Sequence, residues 1–202
     1  MEMMREKMEM ALGWFREGDT KPEFVCSTRD SFQGRLDSMY RNFSKKVKKE
    51  DEVALLTAIV GEIGNNCFDH NLGQWRGVAG CYFQHEIEQD LVGVWVADRG
   101  QGVLSSLRQT VISLKDDEEA LEIAFHQRLS GRSPEKRGNG LKFVRSVING
   151  NDHRGLLFIS GKAFRLFGGL SSSLKMILGK GPVHGTGTFA LILWRIEHEN
   201  RD

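Results

Sequence analysis

Apolar residues recur at helical spacing from the start of the chain. Met4, Met8, Leu12 and Phe15 fall on one side of a helix over residues 1 to about 18, and a Gly-Asp-Thr-Lys-Pro stretch then breaks the pattern. Phe32, Leu36, Met39 and Phe43 share one side of a second helix, predicted over 30 to 48 and starting near Asp30 or Ser31. A third helix is predicted from Lys49 to Asp51, where acidic residues suit the positive end of the dipole, to about His70, with Asn71-Leu72-Gly73 as its stop. Val78 to Glu86 and Leu91 to Ala97 are rich in Val, Tyr, Phe and Trp and predict two strands.

Beyond them the period becomes helical from Val103 to Leu129, with an interruption near Lys115 to Asp117. Ser130 to Asn139 reads as a polar loop and Leu141 to Ile148 as a short helix. The last quarter predicts strands at Leu156 to Ser160, Ala163 to Phe167, Ser173 to Leu178 and Thr188 to Ile196. No internal repeat or low-complexity tract interrupts this order.

With 202 residues, 40% hydrophobic and 27% charged, the chain can pack a core as one ordinary domain. A formal net charge of +1 supplies no field that draws the whole molecule to nucleic acid or an anionic membrane. The basic run Lys45-Lys46-Val47-Lys48-Lys49 reads as a solvated helix face. Three cysteines, Cys26, Cys67 and Cys81, have no paired metal spacing and suit a reducing cytosol. No stretch approaches the ~20 apolar residues of a bilayer span, and none at the N-terminus has the form of a signal peptide. The expectation is a cytoplasmic protein.

Candidate chemistry lies in four short segments. On the third helix, Leu56, Ile59, Val60, Ile63 and Cys67 form an apolar stripe, and Glu62, Asn66 and Asp69 run along its border. An Asn carbonyl oxygen can ligate Mg²⁺ while phosphates and waters complete the shell, and a carboxylate one turn away can position or deprotonate an attacking group. The same pair also suits plain solvated helix surface. His70 falls in the last turn, where it can answer free carbonyls.

Asp98 ends an apolar strand, and a buried carboxylate there needs a donor such as an adenine amino group. Gly100 and Gly102 would let backbone approach a flat base; Asp-Arg-Gly-Gln-Gly also suits a capped turn. Arg137-Gly138-Asn139-Gly140-Leu141 opens a helix whose bare N–H groups suit phosphate, with Arg132, Lys136 and Arg137 as nearby cations, or is an ordinary loop. Gly185-Thr186-Gly187-Thr188-Phe189 places Thr188 within reach of Asp98 or a base, or makes a hairpin turn.

As an ordered set these segments resemble the gyrase, chaperone, histidine-kinase and mismatch-repair (GHKL) ATP-binding superfamily, whose domain is the Bergerat fold. Glu62-x-x-x-Asn66 resembles its N box, Asp98-x-Gly100-x-Gly102 its first glycine box, Gly138-x-Gly140-Leu141 its second and Gly187-Thr188 its third. The resemblance covers roughly residues 50 to 196. It implies an α+β, two-layer sandwich: a mixed β-sheet with helices on one face, here residues 51–202, preceded by a helical extension over residues 1–50. It implies ATP and Mg²⁺, with Asn66 on the metal, Asp98 on the adenine amino group, and Gly138 and Gly140 in a lid over the phosphates. Glu62 would be the catalytic carboxylate, and Thr188 would support the adenine end.

Within the superfamily, Glu62-x-x-x-Asn66-x-x-x-His70 and the segment Asp116 to Phe125 resemble stand-alone anti-sigma-factor-type serine kinases. That resemblance implies phosphorylation of a protein partner, with a histidine-kinase catalytic domain, a conformational ATPase or an ATP-gated binding module as alternatives. Asp69 stands where histidine kinases often carry a lysine, and the first histidine of the chain is His70, so no upstream phosphoacceptor is present in this sequence. The Met- and Phe-bearing N-terminal helices suit either a dimer or partner surface or packing over the sheet. No purpose is assigned to Lys162 to Gly181.

Overall fold

A computed structural model of the protein describes residues 1–18, 22–47, 49–71, 73–111, 113–126, 139–179 and 184–196. The chain runs through α1 (Glu2–Glu17), a 3₁₀ turn (Pro22–Phe24), β1 (Val25–Cys26), α2 (Arg29–Ser44), α3 (Glu50–Asp69), β2 (Cys81–Glu88) and β3 (Leu91–Asp98). It continues through α4 (Gly102–Leu107), α5 (Asp117–His126), α6 (Gly140–Asn149), β4 (Arg154–Gly161), β5 (Ala163–Phe167), α7 (Ser171–Leu178) and β6 (Gly185–Arg195).

Local chemistry explains the helix starts. Thr28 caps α2 through a reciprocal pair of hydrogen bonds with Ser31, which fixes the start one residue earlier than the apolar pattern alone suggests. Glu50, Asp51 and Glu52 occupy the first turn of α3. α2 and α3 pack closely because Gly64 has no side chain: a Cβ there would overlap the Phe32 ring.

The six strands lie in the order β1-β2-β3-β6-β4-β5. The α+β class expected from the sequence is present, with two particulars corrected. The sheet is antiparallel at every described pairing instead of mixed, because β6 inserts between β3 and β4 and runs against both. Helices also cover both faces instead of one. On the first face α2, α3, α5 and α6 bury Val92, Val94, Val96, Phe158 and Ile192. On the second, α1 and α7 bury Trp95, Leu157, Ile159, Leu191 and Leu193. All eight positions of β3 are therefore buried.

Two sheet glycines let the second layer approach. A Cβ on Gly93 would stand 2.7 Å from the Met4 sulfur, and one on Gly155 would stand 2.9 Å from Leu170 Cβ. Ser173 to Leu178, expected as a strand, is instead α7, with Leu174 and Ile177 one turn apart facing the sheet. Within the Lys162 to Gly181 segment, β5 thus supplies an edge strand and α7 part of the second layer. The Met and Phe residues of α1 and α2 named above are buried within the chain. The three cysteines are free and buried.

Candidate functional site

β3 delivers Asp98 to the end of the sheet with 2% of its surface exposed. Donors from three residues reach its carboxylate. Oδ1 accepts from Asn71 Nδ2 at 2.9 Å and from the Gly100 backbone N–H at 2.7 Å, and Oδ2 accepts from the Thr188 hydroxyl. Burial raises the Asp98 pKa above its ordinary 3.8, and these hydrogen bonds oppose that rise without cancelling it.

Asp98 forms part of the wall of a cavity of about 350 Å³, within the range of small-ligand pockets. Val103, Ile123, Leu141 and Phe158 give this cavity apolar walls, while Glu62, Asn66 and Thr188 supply polar ones. It lies over the first face of the sheet, between α3, α4 and α6. A second cavity, of about 30 Å³, adjoins Arg154, whose guanidinium lies 4.2 Å from the Trp194 ring and pairs with Glu52 at 2.8 Å. That pocket is too small for a nucleotide.

The cavity gathers most of the residues singled out in the sequence. Glu62, exposed, and Asn66, half-buried, line it from α3. Gly140 is the first residue of α6, and a Cβ there would overlap Glu62 Oε2. The Glu62 carboxylate therefore sits against the start of α6, where the helix dipole favours negative charge. Asp69 and His70 also line the cavity and have partners within the protein. Asp69 pairs with Arg29 of α2, His70 Nδ1 lies 3.2 Å from Ser106 Oγ, and the His70 carbonyl accepts from Gln101.

Gly102 lines the cavity and starts α4 at φ 74, a left-handed value that a side chain would strain. Gly100 serves a different neighbour from the one expected: a Cβ there would overlap the Asn71 carboxamide, so its smallness admits a side chain of the protein. Gly187 packs in the same way against Asp98, with Asp98 Oδ1 2.7 Å from where a Cβ would be. Lys136, Arg137 and Gly138 lie outside the described residues.

Two residues not singled out in the sequence organise the site. Asn71 is 3% exposed and joins three segments: it donates to the Cys67 carbonyl at 2.7 Å and to Asp98, and its Oδ1 accepts from the Gln101 N–H at 3.0 Å. Ser160, on β4, accepts from the Val103 N–H at 2.9 Å and fixes the start of α4. Lys142 also lines the cavity, with Nζ 3.4 Å from Asn139 Oδ1. Among the described residues no three His, Cys, Asp or Glu side chains gather as a metal cluster.

No family model matches the chain, and no curated protein matches it. Among solved structures, the histidine kinase domain from the Erythrobacter litoralis EL346 blue-light activated histidine kinase is similar at a TM-score of 0.41 and 13% identity, over 96% of this chain and 74% of that one. A likeness so distant carries no weight for the chemistry of this chain. Among the described residues no helix is long and apolar enough to cross a membrane.

Proposed function

We propose that the chain is a Mg²⁺-dependent ATP-binding regulatory protein of the GHKL type, and that it transfers phosphate to a serine or threonine hydroxyl of a partner protein. The observation that carries this reading is the Asp98 carboxylate, buried yet on the wall of a 350 Å³ cavity that Glu62 and Asn66 also line. A buried carboxylate held by Asn71, Gly100 and Thr188 is a fitting acceptor for the adenine amino group.

The donor set suits the cofactors. Mg²⁺ keeps several waters and takes phosphate oxygens, so one carboxamide such as Asn66 is enough protein ligation. ATP would lie with its base at Asp98 and its phosphates toward Glu62, Asn66 and the start of α6, where N–H groups favour anions. Glu62 would accept the proton of the attacking hydroxyl. Phosphoryl transfer asks a protein mainly for positioning and charge neutralisation, and these parts supply both.

Thermal denaturation with ATP and Mg²⁺ tests the reading. Saturation at about 100 times the dissociation constant adds roughly 2.7 kcal/mol. Asn66→Ala should lose the Mg²⁺-dependent part of that gain and Asp98→Asn should weaken the response to ATP. Glu62→Ala should keep binding and lose transfer of labelled phosphate to a partner. Acid-stable label supports Ser/Thr phosphorylation; acid-labile label would replace that reaction with histidine phosphorylation. Phosphate release without a partner would replace it with a conformational ATPase. A parent protein indifferent to ATP sinks the proposal.

A further inference from the structure

α1 lies on the second face of the sheet, away from the cavity, yet it is fastened to both segments that hold Asp98. The first is the glycine segment after β3. Arg99 follows Asp98 directly, and its Nη1 donates to the carbonyls of Trp14 at 3.0 Å and Phe15 at 3.1 Å, in the last turn of α1. Its Nε donates to the Arg76 carbonyl at 3.1 Å. The helix closes on Gly18 at φ 80, whose N–H reaches the Trp14 carbonyl at 2.8 Å. A guanidinium there answers both the carbonyls of the last turn and the negative end of the dipole.

The second segment is the start of β6. Phe15, fully buried, fills the space that a Cβ on Gly185 would need, and its ring centroid is 5.7 Å from that of Phe189. Gly185 and Phe189 bracket Thr188, the hydroxyl donor to Asp98. One helical turn thus backs both the residue after the carboxylate and the strand that supplies its donor.

We infer that the last turn of α1 and the base-binding end of the cavity are thermodynamically linked, with Arg99 as a positioning residue. This rests on the ATP reading above. A docked α1 holds Asp98 and Thr188 in the geometry that accepts an adenine amino group. By reciprocity, bound nucleotide tightens the last turn of α1 by the same factor. Arg99 itself touches no nucleotide; it acts through the backbone it shares with Asp98.

The test uses the full chain. Dissociation constants for ATP and GTP with Mg²⁺ are measured for the parent, Arg99→Ala, Arg99→Lys and Met4→Ala, alongside melting temperatures. Amide hydrogen exchange in α1 is followed with and without ATP. Arg99→Ala should weaken ATP binding roughly five- to tenfold and reduce the preference for ATP over GTP. Arg99→Lys, which keeps a donor for the carbonyls, should recover much of both. Met4→Ala loosens α1 at its other end, beside Gly93. It should lower the melting temperature and leave the ATP-to-GTP ratio alone.

ATP should slow exchange in the last turn of α1 in the parent, and much less in Arg99→Ala. If the parent binds no ATP, the nucleotide reading itself falls. If the parent binds ATP and Arg99→Ala matches it in affinity, ratio and exchange, the linkage is overturned. Equal losses in Arg99→Ala and Met4→Ala also overturn it, because general destabilisation then explains both. Should Arg99→Ala fail to fold, Arg99→Lys and the parent's exchange pattern still decide: unchanged exchange on adding ATP refutes the linkage.

Discussion

Asn71 Nδ2 stands 2.9 Å from Asp98 Oδ1, so one buried carboxamide ties the end of α3 to the end of β3. The same side chain closes on the Cys67 carbonyl and the Gln101 N–H. Truncating it removes a partner from groups on three segments at once. Asn71→Ala should cost about 2–3 kcal/mol, since a buried group left without its partner carries an uncompensated desolvation penalty. For a chain of this size that is a fall in melting temperature of roughly 5–10 °C. A change under about 1 °C would mean water replaces the amide at no cost.

The Asp98 carboxyl makes stability depend on pH in a stated direction. Burial raises its pKa above the ordinary 3.8, so the folded state binds the proton more tightly than the unfolded state does. The stability this contributes is fully present below pH 3.8 and is lost as pH rises through the folded-state value. Asp98→Asn removes that loss. Urea denaturation should show the variant gaining on the parent as pH rises above 3.8. A gap that is flat or closes with rising pH contradicts this sign.

Gly64→Ala adds a methyl group where the Phe32 ring already sits. Alanine is the better helix former by about 1 kcal/mol, but overpacking costs typically 1–3 kcal/mol and Phe32 is wedged against Phe68 and Phe83. A net loss is expected. The double variant with Phe32→Leu should regain part of it; equal stability of Gly64→Ala and the parent would show that α2 can lift away freely.

Gly140→Ala addresses the carboxylate at the start of α6. A Cβ there displaces Glu62, and because Glu62 is exposed the fold should change by no more than about 0.5 kcal/mol. Phosphate transfer should fall while ATP affinity holds. Unchanged transfer would show that the seat beside Gly140 does not position Glu62.

What could be read in the sequence followed from periodicity. The stripe of Leu56, Ile59, Val60, Ile63 and Cys67 is buried as a whole, because a long amphipathic helix repeats its signal many times. Ser173 to Leu178 is too short for that: a brief apolar run fits either period, and its helical form goes with packing against β4 in the folded sheet. β1, with two residues, is set by pairing with Cys81 and Tyr82 and leaves no pattern of its own.

Site residues divide in the same way. Glycines could be marked, but sequence cannot tell whether the missing Cβ makes room for a ligand or for a side chain such as that of Asn71. Asn71 itself looked like an ordinary helix stop, since its partner Asp98 lies 27 positions away. The second helical layer did leave a trace: Leu91 to Ala97 is apolar almost without interruption, which belongs to a strand enclosed from both sides.

That enclosure bears on how the chain can drift over generations. A strand with one wet face accepts polar replacements at every second position, whereas all eight places in β3 are inside. A saturation scan should find intolerance running unbroken from Leu91 to Asp98, with no odd–even rhythm. Variation would then be channelled into the outward sides of the helices, leaving the strand that carries the key carboxylate as the slowest-changing stretch of the molecule.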